Sequence, residues 1–70
     1  MIKLGKREKQ VLELLGVGPR SLEELGRLIY PGSPGNGQDV VMRLVSLGIL
    51  AKGRNDLIAL SAKAEKVLAP

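Results

Sequence analysis

The sequence contains no cysteine, no histidine, no tryptophan and no phenylalanine, and Tyr30 is its single aromatic residue. Without cysteine there are no disulfides, no thiolate metal ligands and no cysteine nucleophile, which fits a cytoplasmic protein. Without histidine the chain lacks the usual general base and the commonest metal ligand. We therefore expect a protein that is not an enzyme, with no catalytic residue, no metal site and no cofactor.

Long apolar stretches are also missing. No segment approaches the roughly 20 apolar residues that a bilayer-spanning helix requires. The N-terminus lacks the continuous apolar run of a secretory signal peptide. We expect no membrane partner.

The remaining composition is that of one small folded domain. The 70 residues are 44% hydrophobic and 26% charged, which argues against intrinsic disorder and predicts a single domain over residues 1–70. Eleven Lys and Arg residues against seven Asp and Glu give a net charge of +4. This balance favours a polyanionic partner. On charge alone, a merely soluble basic protein fits equally well.

Glycine and proline divide the chain into short helical blocks. The apolar spacing predicts a first helix from about Lys6 to Leu15, which residues 16–19 (GVGP) end. Ser21 followed by Glu24 has the spacing of a capping box and predicts the start of a second helix. The apolar residues that share one face on each of these two helices are Val11, Leu12, Leu15, Leu22, Leu25, Leu28 and Ile29.

Residues 30–37 contain two prolines and three glycines, and we expect neither a helix nor a strand to pass through them. Asn36 is the predicted cap of a third helix, with Asp39 in its first turn, and Gly48 ends that helix. The residues predicted to be buried on it are Val40, Val41, Leu44, Val45 and Leu47. Those predicted to face outwards are Gln38, Asp39, Met42, Arg43 and Ser46.

The last third of the sequence predicts a β-hairpin and a short helix. Residues 49–52 and 57–60 are short apolar segments on either side of the turn-forming residues 53–56 (GRND). Ser61 is the predicted cap of a last helix over residues 62–68. The expected fold is therefore mainly α with a small β-hairpin, in the order helix, helix, helix, hairpin, helix.

This order, together with the sequence at the junctions, resembles a winged helix-turn-helix domain of the kind found in MarR-like and other small prokaryotic or phage-type transcriptional regulators. Residues 44–50 (LVSLGIL) resemble the end of a recognition helix that leads into the first wing strand. Residues 58–64 (IALSAKA) are similar to the exit from the wing, and residues 5–15 with 21–25 resemble the first two helices. The resemblance implies a three-helix bundle, a two-stranded wing and a short C-terminal helix.

The resemblance also implies a mode of DNA binding. The third helix, about residues 37–47, would enter the major groove, and the wing, residues 52–56, would lie on the flanking backbone or minor groove. Gln38 could then contact adenine, Arg43 guanine or a phosphate, and Met42 a thymine methyl group. We interpret Asp39 as a helix-start acid. The residues implied in DNA binding are Arg20, Ser33, Asn36, Gln38, Met42, Arg43, Lys52, Arg54 and Asn55.

Phosphate contacts are expected from several of these residues. The helix start around Asn36 presents free backbone N–H groups, and Ser33 adds a hydroxyl. Lys52 and Arg54 flank the hairpin turn, where charge would also serve to keep an edge hairpin soluble. A second basic cluster, formed by Lys3, Lys6, Arg7 and Lys9, is interpreted first as a solvated helix face and second as a contact with flanking DNA.

Two other interpretations remain open. Residues 32–35 (GSPG) match the GxxG loop of KH domains, which bind single-stranded nucleic acid, but the basic residue usual between the glycines and the required sheet are missing. The main alternative is a winged-helix module that binds protein within a transcription, replication or phage assembly. The leading hypothesis is a small transcriptional regulator on double-stranded DNA, with a homodimer as an option and no small-molecule effector expected.

Overall fold

The computed structural model describes residues 4–68, except for the side chains of residues 65, 67 and 68, so that Lys3 lies outside the described residues. It is mainly helical, with one small antiparallel sheet. The elements in chain order are α1 (Lys6–Leu15), β1 (Arg20–Ser21), α2 (Leu22–Ile29), α3 (Pro34–Ser46), β2 (Leu50–Lys52), β3 (Leu57–Leu60) and α4 (Ala62–Leu68). The bounds predicted for the first and last helices and for the two hairpin segments are confirmed to within one residue. Within this part of the chain, no helix has both the length and the apolar character to cross a bilayer.

The core lies where α1, α2 and α3 meet the inner face of the sheet. Each helix contributes residues three or four positions apart, because that spacing puts them on one face. Strand β3 adds Ile58, and α4 closes the core with Ala64. The buried apolar residues are Val11, Leu12, Leu15, Leu25, Ile29, Val41, Leu44, Ile49, Leu50, Ile58 and Ala64.

The predicted capping box of α2 forms only in part. The Ser21 hydroxyl accepts a hydrogen bond from the backbone N–H of Glu24 at 3.1 Å, as expected of an N-cap. The Glu24 carboxylate does not close the box and instead accepts from Nη1 of Arg20 at 2.6 Å. A charged donor one strand position away offers a stronger hydrogen bond than the neutral backbone N–H.

The predicted start of the third helix is wrong. Helix α3 begins at Pro34, with Ser33 as its N-cap, so that Asn36 lies inside the first turn. Proline is favoured at the first helical position, because its missing N–H would have no partner there and its fixed φ suits the helix. The connection between α2 and α3 is therefore the four residues 30–33, not the eight residues predicted to break the chain.

A glycine pair allows α2 and α3 to cross in backbone contact. Gly26 of α2 and Gly37 of α3 are both buried. A Cβ atom at Gly37 would lie 2.7 Å from the Cα of Gly26 and would collide with its carbonyl oxygen. A Cβ at Gly26 would lie 2.7 Å from the carbonyl oxygen of Pro34. Gly37, one of the three glycines that suggested a loop in the sequence, thus serves helix packing.

The sheet has three strands in the order β1-β3-β2, whereas the sequence analysis predicted a two-stranded hairpin. The additional strand β1 pairs antiparallel with β3, with Arg20 opposite Ile58 and Ser21 opposite Leu57. An N-cap residue already has extended backbone dihedrals, and Ser21 has φ −71° and ψ 152°. The segment that caps α2 is therefore extended and able to join the sheet.

The end of α3 is fixed by its C-terminal residues and by α4. Gly48 follows the helix with φ +80°, a conformation that favours glycine. Leu47 is the C-cap and is 42% exposed, so its predicted burial is wrong because it lies beyond the last helical turn. The Ser61 Oγ lies 2.6 and 2.7 Å from the carbonyl oxygens of Gly48 and Ile49 and can donate its one proton to either. Lys63 Nζ donates to the Leu47 carbonyl at 3.1 Å, and these contacts hold α4 against the end of α3.

Candidate nucleic-acid interface

The outer face of α3 carries the polar residues that the sequence predicted to face outwards. Asn36, Asp39, Arg43 and Ser46 are exposed, opposite the buried Gly37, Val41 and Leu44. This arrangement follows from the helical period, since residues three or four positions apart share a face. Met42 is half-buried on the same helix. The exposed face therefore presents one cation, one anion and small polar groups.

Gln38 lies at the flank of this face and takes part in packing. It is half-buried, and its Cγ atom occupies the space next to Gly26, where a Cβ would lie only 2.8 Å away. It also borders a surface cleft of about 390 Å³ between the start of α2, the first turn of α3 and the hairpin turn. The residues lining this hairpin cleft are Leu22, Glu23, Arg27, Pro34, Gln38 and Asp56.

The hairpin turn between β2 and β3 is tight and projects polar groups. Residues 54–56 form a tight turn rather than a regular helix, since Asn55 and Asp56 both have φ +57°. The backbone N–H of Gly53 donates to the Leu57 carbonyl at 2.7 Å and closes the turn. Arg54 and Asn55 are exposed, and Lys52 is exposed beside them. Asp and Asn tolerate the left-handed conformation better than most residues, which explains their presence here.

Lys52 and Arg20 are both engaged in ion pairs. Lys52 Nζ lies 3.2 Å from Oδ1 of Asp56, across the hairpin turn. Arg20 Nη1 pairs with Glu24, and its Nε donates to the Leu14 carbonyl at 3.4 Å, so that only 30% of its side chain is exposed. A phosphate would have to compete with these internal partners for either cation.

Ser33 and Asn36 lie together at the start of α3. The Ser33 hydroxyl makes no capping hydrogen bond, and its side chain is exposed. The backbone carbonyl of Ser33 accepts hydrogen bonds from the backbone N–H groups of Asn36 and Gly37 at 2.9 and 3.3 Å. The hydroxyl is therefore available to a ligand, but the N–H of Asn36 is already used within the helix.

The structure brings some of the predicted site residues together and separates others. Ser33, Asn36 and Gln38 share the first turns of α3, and the hairpin cleft joins this end of the helix to the hairpin turn through Asp56. Arg43 lies further along the same helix, in its last turn. Arg20 instead borders a separate depression with Val17, Gly18, Pro19 and Glu24.

Sequence reasoning missed two contacts near this surface. Arg27, at the edge of the hairpin cleft, lies 3.6 Å from Glu23, a pair that the i,i+4 spacing could have revealed. Arg7 of α1 lies over the ring of Tyr30, with 4.8 Å from its Cζ atom to the ring centroid. No local signal predicts this second contact, because the two residues lie in different parts of the sequence.

The ion pairs of the surface show which of its basic side chains have an acidic partner. Among the side chains that the structure describes, the ion pairs are Arg20–Glu24, Arg27–Glu23 and Lys52–Asp56. Neither Arg43 nor Arg54 takes part in them, and both are exposed. In the same part of the chain, no group of three potential metal-ligating side chains comes together.

Comparison of the chain with protein-family models, with curated proteins and with solved structures finds no match.

Proposed function

We propose that the chain is a winged helix-turn-helix protein that binds double-stranded DNA and acts as a small transcriptional regulator, with no catalytic activity of its own. The observation that carries the proposal is the hairpin cleft. It makes the first turn of α3 and the hairpin turn neighbours on one surface, through Pro34, Gln38 and Asp56. One partner can therefore contact both elements at once.

The connection between α2 and α3 supports the helix-turn-helix part of the proposal. Its four residues, 30–33, have the length of the turn that joins the two helices in such motifs. The glycine contact between Gly26 and Gly37 packs α2 against α3 and leaves the opposite face of α3 exposed. An α-helix about 10–12 Å across fits a major groove about 12 Å wide.

The exposed cations suit this mode of binding. Arg43 projects from α3 and Arg54 from the hairpin turn, and neither is held by an acid among the described ion pairs. Arginine can contact guanine edges or phosphates with two parallel hydrogen bonds. Because part of Gln38 is packed against Gly26, only its amide end would remain for a base contact.

Binding to random-sequence duplex DNA over a salt series tests the proposal. We expect log affinity to fall linearly with log salt, with a slope of about −3 to −4 if roughly four phosphates are neutralised. The variant Arg43→Ala/Arg54→Ala should bind more weakly, with a slope reduced by up to about 2. The control Lys9→Ala/Lys66→Ala removes the same charge from exposed positions of α1 and α4 and should bind as the wild type does.

Two outcomes would contradict the proposal. One is the absence of DNA binding at low salt. The other is an equal loss of DNA affinity in both double variants, because the loss would then depend only on the net charge of the protein and not on which residues carry it. The alternative is then a winged-helix module that binds protein. Its support is the exposure of apolar side chains, since Leu47 and Leu28 are each 42% exposed. In that case Leu47→Ser should abolish the capture of a protein partner without unfolding the domain.

A further inference from the structure

The contact between Arg7 and Tyr30 joins α1 to the connection between α2 and α3. The Arg7 guanidinium lies over the Tyr30 ring at 4.8 Å from its centroid, within the range of a cation–π interaction. Tyr30 is half-buried and packs against the core, so its ring is a fixed platform. Arg7 itself is exposed. The ring therefore fixes the position of a cation that remains open to solvent.

Tyr30 itself lies three residues before Ser33, the N-cap of α3. The backbone N–H of Ser33 donates to the Tyr30 carbonyl at 3.0 Å, which brings the N-cap of α3 next to Tyr30. The exposed Ser33 hydroxyl and the first turn of α3 follow directly. The ring that holds the α1 cation thus belongs to the connection that leads into the first turn of α3.

The hydrogen-bonding groups of Arg7 are largely unused. Its Nη1 lies 3.4 Å from Oε1 of Gln10, a long hydrogen bond, and none of the ion pairs between described side chains includes it. The adjacent acid, Glu8, directs its carboxylate to the backbone N–H of Gly5 at 3.0 Å. A guanidinium that stacks by its face keeps its N–H groups at the edge, where they can bind a phosphate with two hydrogen bonds.

We propose that Arg7, positioned by the Tyr30 ring, binds a backbone phosphate of DNA. This inference rests on the proposed DNA-binding function and extends its surface from α3 and the hairpin turn to α1. Arg7 is the contact residue, and Tyr30 is a positioning residue. The neighbouring cations Lys6 and Lys9 line a depression on α1 together with Gln10 and Glu13, and Arg7 is not among its lining residues.

The variants Arg7→Gln and Lys9→Gln test the contact, because each removes one exposed positive charge from α1. Binding of each to the same random-sequence duplex is measured over the salt series. For Arg7→Gln we expect several-fold weaker binding at low salt and a slope smaller by about 0.9, the value for one phosphate contact. For Lys9→Gln we expect the slope of the wild type. Thermal unfolding followed by circular dichroism confirms that both variants fold.

Tyr30 variants separate positioning from charge. Tyr30→Phe keeps the ring and should bind as the wild type does. Tyr30→Leu keeps apolar packing but removes the ring, and should shift the slope towards that of Arg7→Gln. In the Arg7→Gln background, Tyr30→Leu should have no further effect on DNA binding. If Tyr30→Leu does not fold, the comparison of Arg7→Gln with Lys9→Gln still decides the contact.

The outcomes distinguish this inference from the proposed function. Equal slopes for Arg7→Gln and the wild type overturn the inference alone, provided that Arg43→Ala/Arg54→Ala weakens binding. Equal losses of DNA affinity in Arg7→Gln and Lys9→Gln also overturn it, because the loss would then depend only on the net charge of the protein. A wild-type protein that binds no DNA at low salt overturns both.

Discussion

Two glycines set the distance between α2 and α3. In most helices glycine is unfavourable by about 1 kcal/mol relative to alanine, because it loses more backbone freedom on folding. Glycine is nevertheless required at positions 26 and 37, because a side chain at either position would collide with the backbone of the other helix. Gly35 lies in the same helical turn as Gly37, yet a Cβ there meets nothing within 4 Å.

This difference predicts opposite effects of the same substitution. Gly37→Ala should destabilise the domain by about 1–3 kcal/mol or more, because the helices must move apart to admit the methyl group. Gly35→Ala should stabilise it by about 0.5–1 kcal/mol through helix propensity. Urea unfolding of the two variants measures both effects. Equal changes in the two would contradict the close approach of α2 and α3.

The two serine N-caps provide a second residue-scale prediction. The Ser21 hydroxyl accepts from the Glu24 N–H, whereas the Ser33 hydroxyl makes no capping bond. Ser21→Ala should therefore cost about 0.5–2 kcal/mol, and Ser33→Ala should change stability by less than about 0.5 kcal/mol. The midpoints of chemical unfolding compare the two. A larger loss in Ser33→Ala would show that the hydroxyl caps α3.

At the scale of elements, the hairpin turn combines one exposed cation with one that is internally paired. Arg54 is open to solvent, while Lys52 is held 3.2 Å from Asp56. Exposed ion pairs contribute only about 0–1 kcal/mol to stability, so the pair is easily exchanged for another partner. Asp56 thereby lowers the positive charge that the hairpin offers to DNA.

Removal of the Asp56 charge should strengthen DNA binding under the proposed function. Asn accepts the φ of +57° at this position, so Asp56→Asn should fold normally. Lys52 is then free for a phosphate, and the magnitude of the salt slope should rise by about 0.9. Glu13→Gln is the matched control, because it removes one exposed acid from the outer side of α1. Equal gains in both variants would indicate a general charge effect only.

The whole molecule depends on one small core. A chain of about 70 residues buries little more than about 60% of its unfolded surface, and domains of this size have small stability margins. The core residues come from every helix and from both hairpin strands, so that no element has a separate interior. Hydrogen bonds from Ser61 and Lys63 to the end of α3 bind the last helix into the same unit. We therefore expect a single cooperative unfolding transition.

A core substitution should accordingly affect the entire fold. Leu12 is fully buried, and Leu12→Ala should cost about 2–5 kcal/mol, a large part of the stability of a small domain. Leu28→Ala changes the same atoms at a residue that is 42% exposed, and should cost about 1 kcal/mol or less. Denaturation followed by circular dichroism measures both. Loss of structure confined to one helix in Leu12→Ala would contradict a single core.

The sequence by itself determined the elements whose signals are local. The apolar period defined α1, and Ser21 marked the start of α2. The turn residues 53–56 located the hairpin, and Ser61 located α4. In each case the signal and the structure lie within a few residues of each other, because caps, turns and amphipathic faces depend on neighbouring side chains and backbone dihedrals. Most of the buried core residues were also predicted from the apolar spacing of three or four residues along the helices.

Only the tertiary structure decided the features that join distant residues. Gly35 and Gly37 weaken a helix locally, and α3 starts at Pro34 because packing against Gly26 outweighs that weakness. Strand β1 exists because β3 provides hydrogen-bonding partners for its two residues. The position of Arg7 over Tyr30 and the cleft between α3 and the hairpin turn arise in the same way. The stacking of Arg7 on Tyr30 has no local pattern in the sequence, whereas the three described ion pairs join residues four positions apart and follow a local spacing.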